Sequence, residues 1–547
     1  MVLNAFKTVL FEPSPFDLRD LEDFPYDQYN DQMTRYQENE RWFTGQALED
    51  QPDSVDKADL YPLRINPIVG TVLKHAHILF GEPEEDARMM VYPKLLYTPG
   101  NKADKRLAQE AENVLNGIWW ESHGKALLIE SAIYSQIYGG CVLKATYSPW
   151  ESVEYGGLKN IPITIEAVNP KDFVGIPFSG DKFRLADAWF LKIVSKEEAE
   201  LYGYTGDQDE VWFVEHWTEK EYEQLIDGKT AVRNGQPLKG ANPFGFIPAV
   251  YIPHIRIGDF LGINAYQHLV GLVKELNRVW GDIGDAVNDD SHPIVIGMNI
   301  PASVQEKKVN EFFKYFDIGS ANGLSASDNS PDMKELNTTR TSETMTKMTA
   351  DIMAQYNRDA FVPPVAYGED EGSQRSGLTL QIRFHPLTSH ASIERYFWTS
   401  ALDVFQRYIL LMCLKLNLGE INKRQIGMRI KQVWAPMLPK DRDALVTEWG
   451  VRSSNTIASV EKLIELAGDV EDIDEERERI LQWIVDVEEA KAKATAKYEM
   501  QLQEKQLEGQ KEIAEENREA FAERQDKLGA QQKKPAAPES KESEDEE

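Results

Sequence analysis

An α+β fold is what this sequence predicts, on three observations. Apolar residues recur at steps of three and four between residues 66 and 138, then alternate singly from 141 to about 255, so a helical block precedes an antiparallel sheet region. Helical spacing then returns in two rods, 262–288 and 342–360, separated by about 50 residues with a small α/β pattern of their own. The outgoing rod carries Ile263, Tyr266, Leu269, Val270, Val273, Leu276, Trp280, Ile283 and Val287 on one stripe; Asn264, Gln267, Lys274, Arg278, Asp282 and Asp285 lie opposite. At 1.5 Å per residue it spans roughly 40 Å. The return rod has Met345, Met348, Ile352 and Tyr356 as its stripe. Two rods with a small domain at the far end suit a protein that spans a distance, not one that encloses chemistry.

The other elements follow in chain order. Residues 1–60 are acidic and aromatic, with a helix expected over 27–42 and a polar loop over 50–59. A helix begins at 66 with Pro67 in its first turn; Ile68, Val72, Leu73, Ala76, Leu79 and Phe80 are apolar, and Gly81 and Pro83 stop it. Amphipathic helices are expected over 105–119 and 125–138, with Gly139-Gly140 ending the second and a strand over 141–147. Alternation marks strands over 163–168, 188–194, 211–217, 222–226 and 247–252, and Asp227-Gly228 is a hairpin turn signal. The turn-back unit, 291–339, reads as a strand (294–296), a helix (303–316), a loop (319–331) and a short strand (333–336).

Residues 361–377 hold Pro363-Pro364, Gly368, Gly372, Gly377 and the cluster Glu369-Asp370-Glu371, which predicts a mobile loop. A long helix follows over 378–417, buried through Phe397, Leu402, Phe405, Ile409, Met412 and Leu416, with His385-Pro386 kinking or delaying its start. A strand is expected over 423–434. From Pro439 a helical region runs to about 527, amphipathic over 456–467 and highly charged over 475–527, where Ile480, Ile484 and Val487 form a short stripe. Residues 529–547 predict a disordered tail.

Composition narrows the function. The 547 residues suit two to four domains, and 41% hydrophobic content with 12 tryptophans is that of a folded chain. A net charge of −31 argues against a simple basic clamp on nucleic acid, while leaving room for a surface past which a polyanion slides without being gripped. Cys141 and Cys413 both sit in apolar surroundings and read as reduced core thiols, which fits folding inside a cell. No apolar run has the length of a membrane helix, and residues 1–11 lack the charged start and cleavage site of a signal peptide.

Patterns for chemistry were tested and fail. Asp227-Gly228-Lys229-Thr230 contains the Gly-Lys-Thr of a phosphate loop, but Glu223 occupies the position of the first glycine and the context is a hairpin. His75 and His77, two apart on a helix, face different ways and are expected to be solvated or capping residues. The acidic stretch 471–478 lacks the glycine of a calcium loop, neither Ser373 nor Ser376 sits in a nucleophile elbow, and no Cys–His pair has zinc spacing. No catalytic residue, cofactor or metal ligand is assigned, and the protein is not expected to be an enzyme.

Several segments, taken in order over residues 60–480, resemble the portal proteins of long-tailed bacteriophages, their head-to-tail connectors. These are Asn66-Pro67 with Leu79-Phe80-Gly81-Glu82-Pro83; Asn242-Pro243-Phe244-Gly245-Phe246-Ile247-Pro248; Leu276-Asn277; Ser376-Gly377-Leu378; and residues 436–441, 448–453 and 471–480. The Gly-Gly-Ser usual before the first stem helix is replaced by Gly258-Asp259-Phe260-Leu261-Gly262. The resemblance implies a portal-type subunit with a helical stem, an α/β clip, a mixed α/β wing and a helical crown. Wing would be residues 1–260 and 378–435, stem helices 261–290 and 340–360, clip 291–339, tunnel loop 361–377 and crown 436–528.

It further implies a homo-oligomeric ring of twelve at one capsid vertex, assembled in the host cytoplasm and carried in the virion. Double-stranded DNA would pass through its channel on packaging and ejection. Terminase, head–tail adaptor, and major capsid and scaffolding proteins would be its partners, with no membrane. Lys274, Arg278, Asp282 and Asp285 would line the channel, and Pro363, Pro364, Gly368, Glu369, Asp370 and Gly372 would belong to the tunnel loop. The alternative is an intracellular scaffold or adaptor that self-associates through a coiled coil over 475–527.

Overall fold

The computed structural model describes residues 17–49, 64–81, 89–98, 101–147, 154–155, 158–159, 161–291, 294–298, 332–336, 343–369, 377–438, 447–452 and 473–531. The chain divides into two units, Met1–Pro439 and Lys440–Glu547, each taken by itself.

The first unit opens with helix α1, Tyr26–Thr44. Helix α2, Ile68–Phe80, starts directly after Pro67, whose fixed φ suits a helix start and whose missing N–H leaves one less donor to satisfy. Of its expected apolar stripe, Ile68, Val72, Ala76, Leu79 and Phe80 are buried, whereas Leu73 is exposed. Strand β1, Val91–Leu96, leads to helix α3, Lys102–Glu121, capped by the Asn101 side chain accepting from the Asp104 N–H at 3.2 Å. Helix α4, Gly124–Tyr138, ends at Gly139 in the left-handed region, φ 88°, and strand β2, Gly140–Tyr147, follows at once.

Strands β3 (Ile163–Val168), β4 (Phe173–Pro177), β5 (Leu185–Ser195), β6 (Glu210–Thr218), β7 (Glu221–Ile226) and β8 (Ala249–Pro253) complete the sheet region. They form two antiparallel sheets, β8-β2-β3 and the meander β4-β5-β6-β7, the latter extended by Lys229–Thr230. Ile226 pairs with Lys229 across Asp227 (φ 48°) and Gly228 (φ 74°), the two positive φ values of a tight hairpin. Strand β4 was not foreseen: Gly175 and Pro177 dilute its pattern, yet Phe173 pairs with Phe190 on β5.

The rods are helices α5, Val270–Ser291, and α6, Glu343–Asp359. Between them strands β9, Ile294–Met298, and β10, Asp332–Leu336, pair antiparallel. The outgoing rod begins eight residues later than its periodicity implies. Gly262 has φ 67°, Ile263 bridges to Ile255, and Asn264 accepts from the N–H groups of Tyr266 and Gln267 to cap a 3-10 turn at Gln267–Leu269. Ile263 and Tyr266 fall on a helical stripe by spacing but reach the core from extended backbone.

Helix α7, Gly377–Leu416, runs through Pro386 without a break in its assignment. The strand expected over 423–434 is two elements. Asn422 and Gln425 form a capping box over the helical turn Lys423–Ile426, and only then does strand β11, Arg429–Trp434, begin. It pairs with β1, Val91 opposite Trp434. The expected helix at 303–316 and loop at 319–331, the polar loop at 50–59 and the amphipathic segment at 456–467 lie outside the described residues.

Two clusters hold the helices and sheets together. One packs Phe80, Leu115, Leu128, Val250, Trp398, Phe405 and Ile409, joining α2, α3, α4, β8 and α7. The other packs Tyr36, Val72, Tyr266, Val273, Tyr356 and Leu387, joining α1, α2, α5, α6 and α7. Each such side chain contributes about 1.5–3 kcal/mol by leaving water. Cys141 and Cys413 are buried free thiols, and burial pushes Cys413 up to about 12. No described helix is long and apolar enough to cross a membrane.

In the second unit, helix α8 spans Ile473–Gln531. Its side chains are largely exposed, including Trp483, Leu507 and Phe521; of the expected stripe, Ile484 is exposed while Ile480 and Val487 are half-buried. Residues 529–531 belong to this helix and not to the expected tail; 532–547 lie outside the described residues.

Candidate functional site

Helix α5 is anchored along one face and bare along the other. Val273, Leu276 and Val279 are buried at helical spacing, and Leu269 of the preceding 3-10 turn is buried with them. Among them lies Asn277, 4% exposed, whose Nδ2 donates to the Ile65 carbonyl at 2.8 Å while its Oδ1 accepts from the Ile65 N–H at 2.8 Å. One amide thereby satisfies both backbone groups of the residue leading into α2, as buried backbone requires. Near the same end, His268 Nε2 lies 3.0 Å from the Asp359 carbonyl, tying the start of α5 to the end of α6.

The bare face carries three of the four channel candidates. Lys274 Nζ stands 5.1 Å from the Trp42 ring centre. Arg278 is held by carboxylates on both sides, with Nη2 2.7 Å from Glu275 and Nη1 2.7 Å from Asp282. The hydrogen bonds from Arg278 hold Glu275 below its ordinary range, and Glu275 in turn raises Arg278. The guanidinium is therefore compensated by a carboxylate on each side. The side chain of Asp285 lies outside the described residues. Leu272 of α5 and Thr344, Lys347, Met348, Asp351, Ile352 and Gln355 of α6 line an open groove of about 570 Å³. Met348 is 41% exposed, so the return stripe is only partly covered within the chain.

The segment expected to be a mobile loop has a defined first half. Phe361 turns the chain at φ 57°, Val362 is fully buried, and the Val362 N–H donates to the Asn357 carbonyl at 3.0 Å. Pro363 precedes a 3-10 turn over Pro364–Tyr367, which Gly368 closes at φ 82°. Lys74 of α2 lies 5.8 Å from the Tyr367 ring centre. Glu369 is exposed; Asp370 and Gly372 lie outside the described residues.

The model of the family described as phage portal protein, SPP1 Gp6-like, matches residues 199–490. The chain belongs to that family. A search of curated proteins finds no match. As a phage portal protein it is a structural component of the bacteriophage capsid and serves genome packaging. The match takes in both rods, the β9–β10 pair, α7 and β11; of the segments that carried the sequence resemblance it includes all but those at 66–67 and 79–83.

Two features of this portal chain escaped the sequence. Asn277 stood out only as the second half of a Leu-Asn pair; its partner Ile65 is 212 residues away. His75, expected to be solvated or capping, is 1% exposed and packs tilted against His390 with ring centres 4.7 Å apart, while His77 is exposed. Only the i, i+4 spacing of His390 and Glu394 was visible beforehand.

Proposed function

We propose that this portal protein is the subunit of a closed ring of twelve at one capsid vertex. DNA enters through the ring during packaging and leaves on ejection. Terminase, and later the head–tail adaptor, dock on the clip, residues 291–339, while the wing meets the major capsid and scaffolding proteins. Stem helices are residues 261–290 and 340–360, the tunnel loop 361–377, the wing 1–260 and 378–435, and the crown 436–528. Lys274, Arg278, Asp282 and Asp285 line the channel and touch DNA without gripping it.

The observation that carries this reading is the open groove along α5 and α6, with Met348 and Ile352 in its wall, on a chain of the portal family. An apolar stripe only partly covered among the described residues is a site for a neighbouring copy. The compensated charges around Arg278 suit a surface that a duplex passes. Electron micrographs of the purified full chain test the proposal: closed rings are expected, and monomers or dimers over a range of salt and concentration refute it. The exposed apolar residues of α8 favour a second reading, an adaptor that self-associates through this helix. Deleting residues 475–547 separates the two, since rings survive on the first reading and self-association is lost on the second.

A further inference from the structure

Four residues far apart in sequence meet in the first unit. His75 lies on α2, His254 just after β8, and His390 and Glu394 one turn apart on α7. His75, His254 and Glu394 are at most 1% exposed and His390 is 9% exposed. One ligand atom from each of His75, His390 and Glu394 falls within 4.8 Å of the others. His254 Nε2 is 3.4 Å from Glu394 Oε1, and His390 Nδ1 is 2.9 Å from the same oxygen.

The surroundings of these side chains prepare them as ligands. His75 Nε2 lies 2.8 Å from the Ala360 carbonyl, which can only accept, so Nε2 carries the proton and Nδ1 keeps its lone pair. His254 Nδ1 lies 2.9 Å from the Ile263 carbonyl, which leaves the lone pair on Nε2. Gln136 donates to Glu394 Oε2 at 2.7 Å and so turns Oε1 toward the imidazoles. Of the atoms left over, His75 Nδ1 and His254 Nε2 are buried without a hydrogen-bond partner among the described residues, and Glu394 Oε1 faces His390 Nδ1 and His254 Nε2. No Lys or Arg among the described residues pairs with the Glu394 carboxylate. Buried ring nitrogens left without a partner beside a buried carboxyl group are an arrangement that hydrogen bonding alone leaves costly.

We propose that His75, His390 and Glu394, completed by His254, bind one divalent transition-metal ion of the zinc class. Imidazole-rich donor sets with one carboxylate favour zinc and its neighbours over magnesium or calcium. Four protein ligands make a closed, structural site. Tetrahedral bonds of about 2.0–2.1 Å place donors roughly 3.3 Å apart, so the atoms of His75, His390 and Glu394, now within 4.8 Å of one another, draw together around the ion. Any proton on a ligating ring nitrogen is released to solvent as the ion binds.

The ion fastens three elements directly, α2, the end of β8 and α7. It reaches a fourth through His75, which holds Ala360, and through the Phe361 ring stacked 5.0 Å from His390. The junction after α6 is thereby pinned to the helical layer.

The test uses the full chain without a polyhistidine tag, stripped by chelator and re-equilibrated with zinc. About one ion per chain should be retained through gel filtration. Zinc at about a hundredfold excess over its Kd should raise Tm by roughly 3 °C, reversed by chelator. His390→Gln should lower retention at least tenfold, while the surface control His77→Ala retains the ion. Retention below a tenth of an ion per chain in the wild type, or equal retention in His390→Gln, overturns the proposal. Should His390→Gln fail to fold, cobalt loading of the wild type decides: the visible absorption of tetrahedral cobalt supports the site, and the weak spectrum of the hydrated ion refutes it.

Discussion

Replacing Asn277 by alanine tests how α5 is fixed to the segment entering α2. The side chain makes three hydrogen bonds, two to Ile65 and one from Nδ2 to the Val273 carbonyl at 2.9 Å. The Val273 carbonyl keeps a partner in the helix, so the damage falls on Ile65, whose N–H and C=O both lose theirs. A buried group left unsatisfied costs about 1–3 kcal/mol. Ile65 is half-buried and water reaches part of the gap, so the lower end applies to each group and the total is about 2 kcal/mol. That is a factor of about 30 in the local opening equilibrium. Hydrogen exchange by mass spectrometry on a peptide spanning residues 64–68 reads it directly: the Ile65 amide should lose protection by about that factor while the β5–β6 strands keep theirs. Asn277→Asp should fare no better, because its carboxylate faces the Ile65 carbonyl and cannot donate at neutral pH. Unchanged protection at Ile65 in both variants would refute the reasoning.

Three further outcomes follow from the geometry. Lys144 and Glu215 form a buried pair at 2.9 Å, and Lys144 together with the Trp217 indole outweighs burial to hold Glu215 below its ordinary 4.5. Its stabilisation is present above about pH 4.5 and lost as pH falls through the lowered value. Lys144→Met should cost about 3 kcal/mol in thermal unfolding and remove that acid dependence, and adding Glu215→Gln should restore much of the loss. Gly262→Ala should lower Tm by several degrees, because φ is 67° and a Cβ would stand 2.5 Å from the Gly139 carbonyl oxygen. Arg278→Ala should change stability by less than about 1 kcal/mol despite removing two ion pairs, since both are solvent-exposed; a larger loss in a thermal melt would show that the helix depends on them.

What could be read in advance was what short-range chemistry determines. Pro67 and Gly81 bounded α2, Asp227-Gly228 specified its hairpin, and the helical spacing of Val270, Val273 and Leu276 placed α5. The reading failed where burial mimicked periodicity, as at Ile263 and Tyr266, which reach the core from non-helical backbone. It failed where a cap outweighed alternation, as at Asn422 and Gln425. The exposed face of α5 was visible as a row of charges, but the double compensation of Arg278 depends on rotamers. The meeting of His75 with His254, His390 and Glu394 depends on a tertiary fold that brings residues together across more than 300 positions.

The β1–β11 ladder has a consequence for how the chain is made. Its two strands sit near opposite ends of the first unit, and the main core needs Trp398, Phe405 and Ile409 as well. On the ribosome, β1 and α2 emerge hundreds of residues before the strand and helix that cover them. The early segments wait, partly unclothed, until residue 434 has left the exit tunnel. Closure over so long a stretch is slow and leaves apolar surface open to wrong partners in the interval. A host cell with its holding chaperones depleted should therefore yield insoluble chain well before it yields a shortage of chain.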